Sequence, residues 1–159
     1  MACRRGQSCV AGGCRWLDET ESSVGDFNVD IYATETGTDR KTIIENQLED
    51  TDHDYLGKLI TYASGKSADI VIWVVKRARE EHRSAIEWLN NHTDENIALF
   101  LVEIKLYQIG SSDIAVKFEV VEKPNDWTRK PTESLYLIRQ IFKIRISGLN
   151  SSIGRWTLP

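Results

Sequence analysis

Three polar residues, Asp30, Glu45 and Gln47, form a candidate site for metal binding or catalysis. They lie in two segments, 27–34 and 41–49, that alternate apolar and polar side chains like consecutive strands of a β-hairpin. Opposed side chains of a hairpin share one face, with Cβ atoms about 4.5–5.5 Å apart. Two carboxylates that close repel each other unless a proton or a cation lies between them. Because Mg²⁺ prefers carboxylate, carbonyl and water oxygens, this pairing predicts a magnesium site.

The pairing depends on the register of the hairpin. Residues 36–39 form a turn cluster, and a turn centred between Gly37 and Thr38 makes the numbers of opposed residues sum to 75 (37 + 38). Asp30 then faces Glu45, whereas a slip of one residue would separate them. The alternative interpretation places both acids on a solvated outer face, which is common for acids on strands and is favoured by composition alone.

The surrounding sequence alternates strand and helix patterns. Residues 70–75 are a continuous apolar run, typical of a strand buried on both faces. The full set of predicted elements after the hairpin is a helix capped by Thr51 or Asp52 and ending near Gly65, the strand 70–75, a helix over about 79–91, strands 97–107 and 116–121, and an amphipathic helix 134–146. The order β-β-α-β-α-β-β-α predicts an α/β fold with a mixed β-sheet flanked by helices.

Length and charge restrict the function classes. The 159 residues suit one ordinary domain, and 20 basic against 24 acidic side chains give a net charge of −4. An acidic balance argues against a generic polyanion binder, so a nucleic-acid function would need a local site. The longest apolar run, 70–75, is far shorter than the ~20 residues that span a bilayer. We therefore expect a cytoplasmic protein without a membrane partner.

The run 45–63, ENQLEDTDHDYLGKLITYA, together with Val29-Asp30-Ile31, resembles the PD-(D/E)XK nuclease superfamily. More narrowly, it resembles a bacterial group whose amino-terminal half is such a nuclease-like domain, often joined to a DUF4268 module. Residues 72–74, 79–83 and 123–127 share this resemblance. It implies a restriction-endonuclease-like core over 21–127, with an irregular segment 1–20 before it and a helix and tail over 128–159 after it.

The resemblance implies roles for four residues of the hairpin. Asp30 and Glu45 match the motif acids that bind Mg²⁺ or Mn²⁺, and the main-chain carbonyl of Asn46 falls where the family has a further ligand. Gln47 stands where the family usually has a lysine that positions water and offsets charge. A glutamine orients water by hydrogen bonding but cannot neutralise a phosphate.

Four further residues are candidates because of the resemblance. Lys58 and Tyr62 are four residues apart on one helix face. We expect Lys58 to provide the missing cation and Tyr62 to be an accessory residue, the alternative being a surface lysine beside the core. His53 is a second accessory candidate for contacting phosphate or water, and its alternative is capping or packing. Glu21 is a third, in place of an acid that the family carries on a helix before the hairpin.

The expected function is that of a Mg²⁺-dependent DNA endonuclease, which hydrolyses phosphodiester bonds with a metal-activated water. The alternatives are a catalytically inactive nuclease-like module for binding or assembly, and a truncated part of a longer two-domain protein. DNA is the expected partner, and a homodimer is left open. Three residues are expected to have no role in chemistry: Trp73 and Trp88 as core aromatics, and His82 at a solvated helix start.

Overall fold

The structure is a computed structural model. It describes residues 7–10, 13–25, 27–35, 38–112 and 114–125, with the backbone alone for 7–21 and 27. All of these residues belong to the unit Met1–Asp126. The carboxy-terminal segment 128–159, with its predicted helix 134–146, lies outside the described residues.

The described residues form one seven-stranded sheet and two helices. The elements are β1 (Gln7–Val10), β2 (Gly13–Val24), β3 (Phe27–Thr34), β4 (Lys41–Asp50), α1 (His53–Lys66), β5 (Ile70–Arg77), α2 (Glu80–His92), β6 (Ala98–Tyr107) and β7 (Ala115–Glu122). Strands neighbour one another in chain order. β4, β5 and β6 run parallel, with α1 and α2 as their crossovers, and the other neighbours are antiparallel. This confirms the predicted α/β class with a mixed sheet flanked by helices.

The predicted hairpin has the predicted register. Ile31 pairs with Ile44 and Tyr32 pairs with Ile43, so the numbers of opposed residues sum to 75 (31 + 44; 32 + 43). The backbone ladder of β3 and β4 ends at the first of these pairs. The next positions along the two strands are those of Asp30 and Glu45.

The core between the sheet and the helices has the expected apolar composition. Trp73 is completely buried, as predicted, among neighbours that include Ile43, Leu59, Val75 and Ile86. Both helices contribute to this cluster, so they cover the same face of the sheet. In the part of the chain that the structure describes, neither helix is long and apolar enough to cross a membrane.

The prediction that Trp88 belongs to the core is wrong. Its side chain is 59% exposed and stacks on His92, with ring centroids 4.4 Å apart. Ile86 is the buried residue of this turn of α2. Because successive residues of a helix are about 100° apart, Trp88 lies roughly 200° round the axis from Ile86. The packing of Ile86 therefore leaves Trp88 on the outer side.

The predictions for the segment 1–20 and for the end of the first helix need correction. The segment 1–20 was expected to be irregular, but β1 and most of β2 lie within it, because antiparallel backbone pairing with β3 extends the sheet without any apolar period. The first helix continues past Gly65 to Lys66, and Ser67 takes the left-handed C-cap conformation (φ 50°, ψ 51°). Gly65 instead permits a close approach, since a Cβ there would lie 2.4 Å from Cγ1 of Val24.

Candidate functional site

Asp30 and Glu45 meet where the backbone pairing of β3 with β4 ends. The main-chain N–H of Asp30 donates to Glu45 Oε1 at 3.0 Å. The main-chain N–H and the side-chain Nδ2 of Asn46 donate to Asp30 Oδ2 at 2.9 and 3.0 Å. Each carboxylate therefore accepts a hydrogen bond from the backbone of the opposite strand. The Asp30 N–H thus links the two residues at this open end of the ladder, and the pairing of their carboxylates around a cation stays a prediction.

Two tyrosines of α1 lie in the electric field of these carboxylates. Burial raises the pKa of Tyr55, and the charges of Asp30, Glu45 and Asp52 raise it further. Burial also raises the pKa of Tyr62, followed by the charges of Glu45, Tyr55 and Asp30. Both phenols therefore keep their protons well above neutral pH and can act as hydrogen-bond donors toward the acids.

The oxygen atoms around Asp30 bear on the predicted cation site. Glu45 is 6% exposed, so its charge is held away from bulk water. The side-chain Oδ1 of Asn46 is buried and accepts no hydrogen bond, although Nδ2 of the same amide binds Asp30. In the described part of the chain, no three or more His, Cys, Asp or Glu side chains group as metal ligands. A cation here would therefore need an Asn46 oxygen and water besides the two carboxylates, which suits Mg²⁺.

Gln47 is a buried connector of three elements. Its Nε2 donates to the main-chain oxygen of Asp50 at 2.7 Å and to Asp52 Oδ2, and its Oε1 accepts from Trp73 Nε1 at 3.2 Å. Asp52 in turn caps α1 by accepting from the N–H of Tyr55. With the side chain 2% exposed, both N–H donors of the amide have structural partners. Only the second lone pair of Oε1 is left for the predicted water-orienting role.

Lys58, the predicted cationic residue, lies beside Tyr55 on α1. Its side chain is exposed on α1, and its Nζ lies 4.8 Å from the centroid of the Tyr55 ring. A cation over an aromatic face is attracted by the ring. The predicted role of Lys58 beside Asp30 and Glu45 stays a prediction. Tyr62, the predicted accessory residue, is buried one turn further along.

His53 binds α2 through a hydrogen bond. Its Nδ1 lies 2.9 Å from His82 Nε2, and His82 Nδ1 lies 2.8 Å from Thr51 Oγ1. The prediction that His82 is solvated is wrong, because its side chain is 2% exposed and packs edge-on to Trp73 at 6.0 Å. Glu21 lies on β2, and its side chain is outside the described residues.

The Thr51–His82–His53 group was not predicted from the sequence. A signal for it exists: Thr51 and His53 follow β4, His82 follows β5, and the carboxyl ends of parallel neighbours meet at one edge of a sheet. Each histidine also lies in the first turn of its helix. The two facts together place the rings near each other.

In comparisons with family models, curated proteins and solved structures, the chain matches none. The resemblance to the PD-(D/E)XK superfamily therefore remains a hypothesis that rests on the motif residues and on their geometry.

Proposed function

We propose that this protein is a Mg²⁺-dependent nuclease that hydrolyses phosphodiester bonds of DNA. The observation that carries the proposal is the position of Asp30 and Glu45, which bridge β3 and β4 where the backbone ladder ends. A bound Mg²⁺ would polarise the phosphate. It would also lower the pKa of the water bound to it, so that this water can attack at neutral pH. The buried, unbonded Asn46 Oδ1 beside Asp30 supports a cation there.

The side chains around the acids have complementary roles in this proposal. Asp30, Glu45 and the main-chain carbonyl of Asn46 hold the cation, with the buried Asn46 Oδ1 as a further oxygen donor. Tyr55 and Tyr62 border the site with neutral phenols, because their pKa values are raised by burial and by the acids. Lys58, on the border over Tyr55, offsets charge on the phosphate in place of the lysine that Gln47 replaces.

DNA is the proposed substrate because the motif residues around Asp30 and Glu45 resemble those of a nuclease superfamily. The protein carries a net charge of −4, so attraction of a polyanion must be local and must come from the bound cation and Lys58. We further propose a cytoplasmic location, where DNA is accessible in a bacterium, and a homodimer for cutting both strands of a duplex.

A second candidate is a nuclease-like module without catalysis, which serves in binding or assembly. The observation that favours it is the engagement of Gln47, whose amide joins β4, β5 and the cap of α1. In this alternative Asp30 and Glu45 serve only to close the open end of the hairpin. Both candidates use the same fold and differ in whether the protein cleaves DNA.

The test combines calorimetric titration of Mg²⁺ with cleavage of supercoiled plasmid. We expect the wild-type chain to bind Mg²⁺ at millimolar or lower concentration and to nick plasmid with Mg²⁺ or Mn²⁺. Asp30→Asn and Glu45→Gln should abolish both, since each removes a charge while keeping an oxygen acceptor. Asp54→Asn is the matched control, because Asp54 is an exposed acid in the first turn of α1.

Three outcomes separate the candidates. Binding and cleavage that both depend on Asp30 and Glu45 support the nuclease. Mg²⁺ binding without cleavage of single-stranded, duplex or branched DNA supports the inactive module with a retained cation site. Absence of Mg²⁺ binding contradicts the nuclease proposal, whatever nicking is observed, because contaminating activity would then explain the nicking.

A further inference from the structure

Two histidines join the beginnings of the two helices. His53 is the first residue of α1, and His82 lies in the first turn of α2. Their rings meet edge-on with centroids 4.8 Å apart, and His53 Nδ1 lies 2.9 Å from His82 Nε2. The other nitrogen of His82 lies 2.8 Å from Thr51 Oγ1. The three side chains thus form one continuous hydrogen-bonded chain.

Thr51 fixes the inner end of this chain. Its side chain is completely buried, and its Oγ1 accepts the main-chain N–H of Arg79 at 2.9 Å. Its own N–H donates to the main-chain oxygen of Arg77 at 3.0 Å. The residues that follow β4 are therefore bonded directly to those that follow β5. His53 Nε2 is the outer end, on an exposed residue.

The number of protons that the Thr51–His82–His53 group can carry follows from which ring nitrogens donate and which accept. A neutral imidazole has one N–H and one acceptor nitrogen. When His82 carries its proton on Nε2, it donates to His53 Nδ1 and accepts from Thr51; when the proton is on Nδ1, both directions reverse. One extra proton on the pair still leaves one donor and one acceptor between the rings. A second extra proton places two N–H groups face to face, with two positive charges beside each other.

We propose that Thr51, His82 and His53 form a proton-sharing latch. The latch holds the first turns of α1 and α2 together while the histidine pair carries at most one extra proton, and it opens when a second proton binds. The proposal concerns the attachment of α1 and does not rest on the nuclease function.

The surroundings of His82 agree with this behaviour. Burial lowers the pKa of His82, and the neighbouring His53 lowers it further. Glu81 and Asp52 act in the opposite direction, and Arg79 acts in the same direction as His53. Trp73 covers the ring from β5 and contributes no charge. Neutral His82 is therefore favoured in the folded state, and the unfolded chain binds more protons.

The sign of the pH dependence follows from that difference. A histidine whose pKa is lowered by folding adds its full stability above its ordinary pKa of 6.5 and loses it as the pH falls below that value. If the latch excludes one proton that the unfolded chain binds, the unfolding equilibrium constant rises about tenfold per pH unit in this range. Carboxylates mostly titrate at lower pH, so the change in stability just below pH 6.5 comes mainly from histidine.

The experiment compares urea unfolding of the full chain at about pH 7.5 and about pH 5. His53→Gln is the main variant, because the residue is exposed and an amide bonds to His82 without taking up a proton. We expect His53→Gln to reduce the pH dependence of the unfolding constant, because it removes the neighbouring imidazole charge, and to leave the part that comes from the burial of His82. His92→Gln is the matched control: it removes an exposed histidine at the end of α2, whose Nδ1 bonds to the main-chain oxygen of Trp88, and should keep the wild-type dependence.

Nitrogen NMR of the imidazole rings adds a readout of the latch itself. We expect His53 and His82 to show fixed tautomers at about pH 7.5, with one donor and one acceptor between the rings. The proposal is overturned if both rings average between tautomers as free histidine does, or if His53→Gln leaves the pH dependence unchanged. It is equally overturned if His92→Gln reduces that dependence as much as His53→Gln does.

Discussion

The main-chain N–H of Asp30 donates to the carboxylate of Glu45 at 3.0 Å, where β3 and β4 no longer bond through their backbones. This contact gives Glu45 two separable properties. Its oxygen satisfies a backbone donor and so contributes to stability, and its charge contributes to the cation site that we propose. Substitutions that keep the acceptor and remove the charge distinguish the two.

Glu45→Ala and Glu45→Gln should therefore differ in stability. The alanine variant leaves the Asp30 N–H without its acceptor and should lower the free energy of unfolding by about 1–3 kcal/mol. The glutamine variant retains an Oε1 acceptor and should stay within about 1 kcal/mol of the wild-type value. Urea denaturation measures both. Equal stabilities for the two variants would contradict a structural role for this hydrogen bond.

Gln47→Ala should be among the most destabilising single substitutions of the sheet. It removes the acceptor of the buried Trp73 Nε1–H and the donor to Asp52, and it leaves a cavity. We expect a loss of about 3 kcal/mol in the free energy of unfolding. Denaturation monitored by tryptophan fluorescence and by circular dichroism gives the value. A loss below about 1 kcal/mol would show that the connector role is dispensable.

Two glycines of α1 should respond in opposite ways to alanine. Gly57 has open space at its Cβ position, so Gly57→Ala should stabilise the helix by about 0.5–1 kcal/mol. At Gly65 the added Cβ meets Val24, so Gly65→Ala should destabilise by about 1–3 kcal/mol.

The double variant Gly65→Ala/Val24→Ala is the check on this contact. It removes the methyl group that the new Cβ meets. Its loss in the free energy of unfolding should be smaller than the sum of the losses of the two single variants. Simple additivity would show that α1 does not approach β2 as closely as described.

Lys58→Met tests the proposal that the Lys58 ammonium offsets negative charge on the phosphate. The side chain is exposed, so folding should be unaffected. If the protein is a nuclease, the rate of plasmid cleavage should fall by about tenfold or more, since one charge that offsets phosphate is lost. Lys76→Met is the control, because Lys76 is an exposed lysine on β5. Full cleavage by Lys58→Met would assign Lys58 to the surface.

Local patterns were sufficient to predict β3 to β7, the two helices α1 and α2 and the hairpin register, but not β1 and β2. The alternation on β3, the turn after it and the apolar run of β5 each follow from a period that neighbouring residues carry. Asp52 could be predicted as one of two candidate caps because side-chain capping is a local interaction, and the structure selects it over Thr51.

Predictions that needed packing information were less successful. His82 stands among charged residues and has the local pattern of a solvated helix start, but the crossover from β5 turns it onto Trp73 and Thr51. Trp88 has the composition of a core residue, but the rotation of α2 that buries Ile86 exposes it. The residues adjacent in sequence predict neither the burial of His82 nor the exposure of Trp88.

Sequence periodicity was sufficient to predict the register of the β3–β4 hairpin and the succession of strands and helices from β3 onward that gives the α/β class. These depend on contacts between residues close in the chain, for which periodicity and turn chemistry are sufficient. Only the tertiary structure decided that Gln47 is bound by Trp73, 26 residues away, and that His53 and His82, 29 residues apart, share a hydrogen bond. Such partners meet because parallel strands place their carboxyl ends at one edge of the sheet, and that arrangement exists only after the chain has folded.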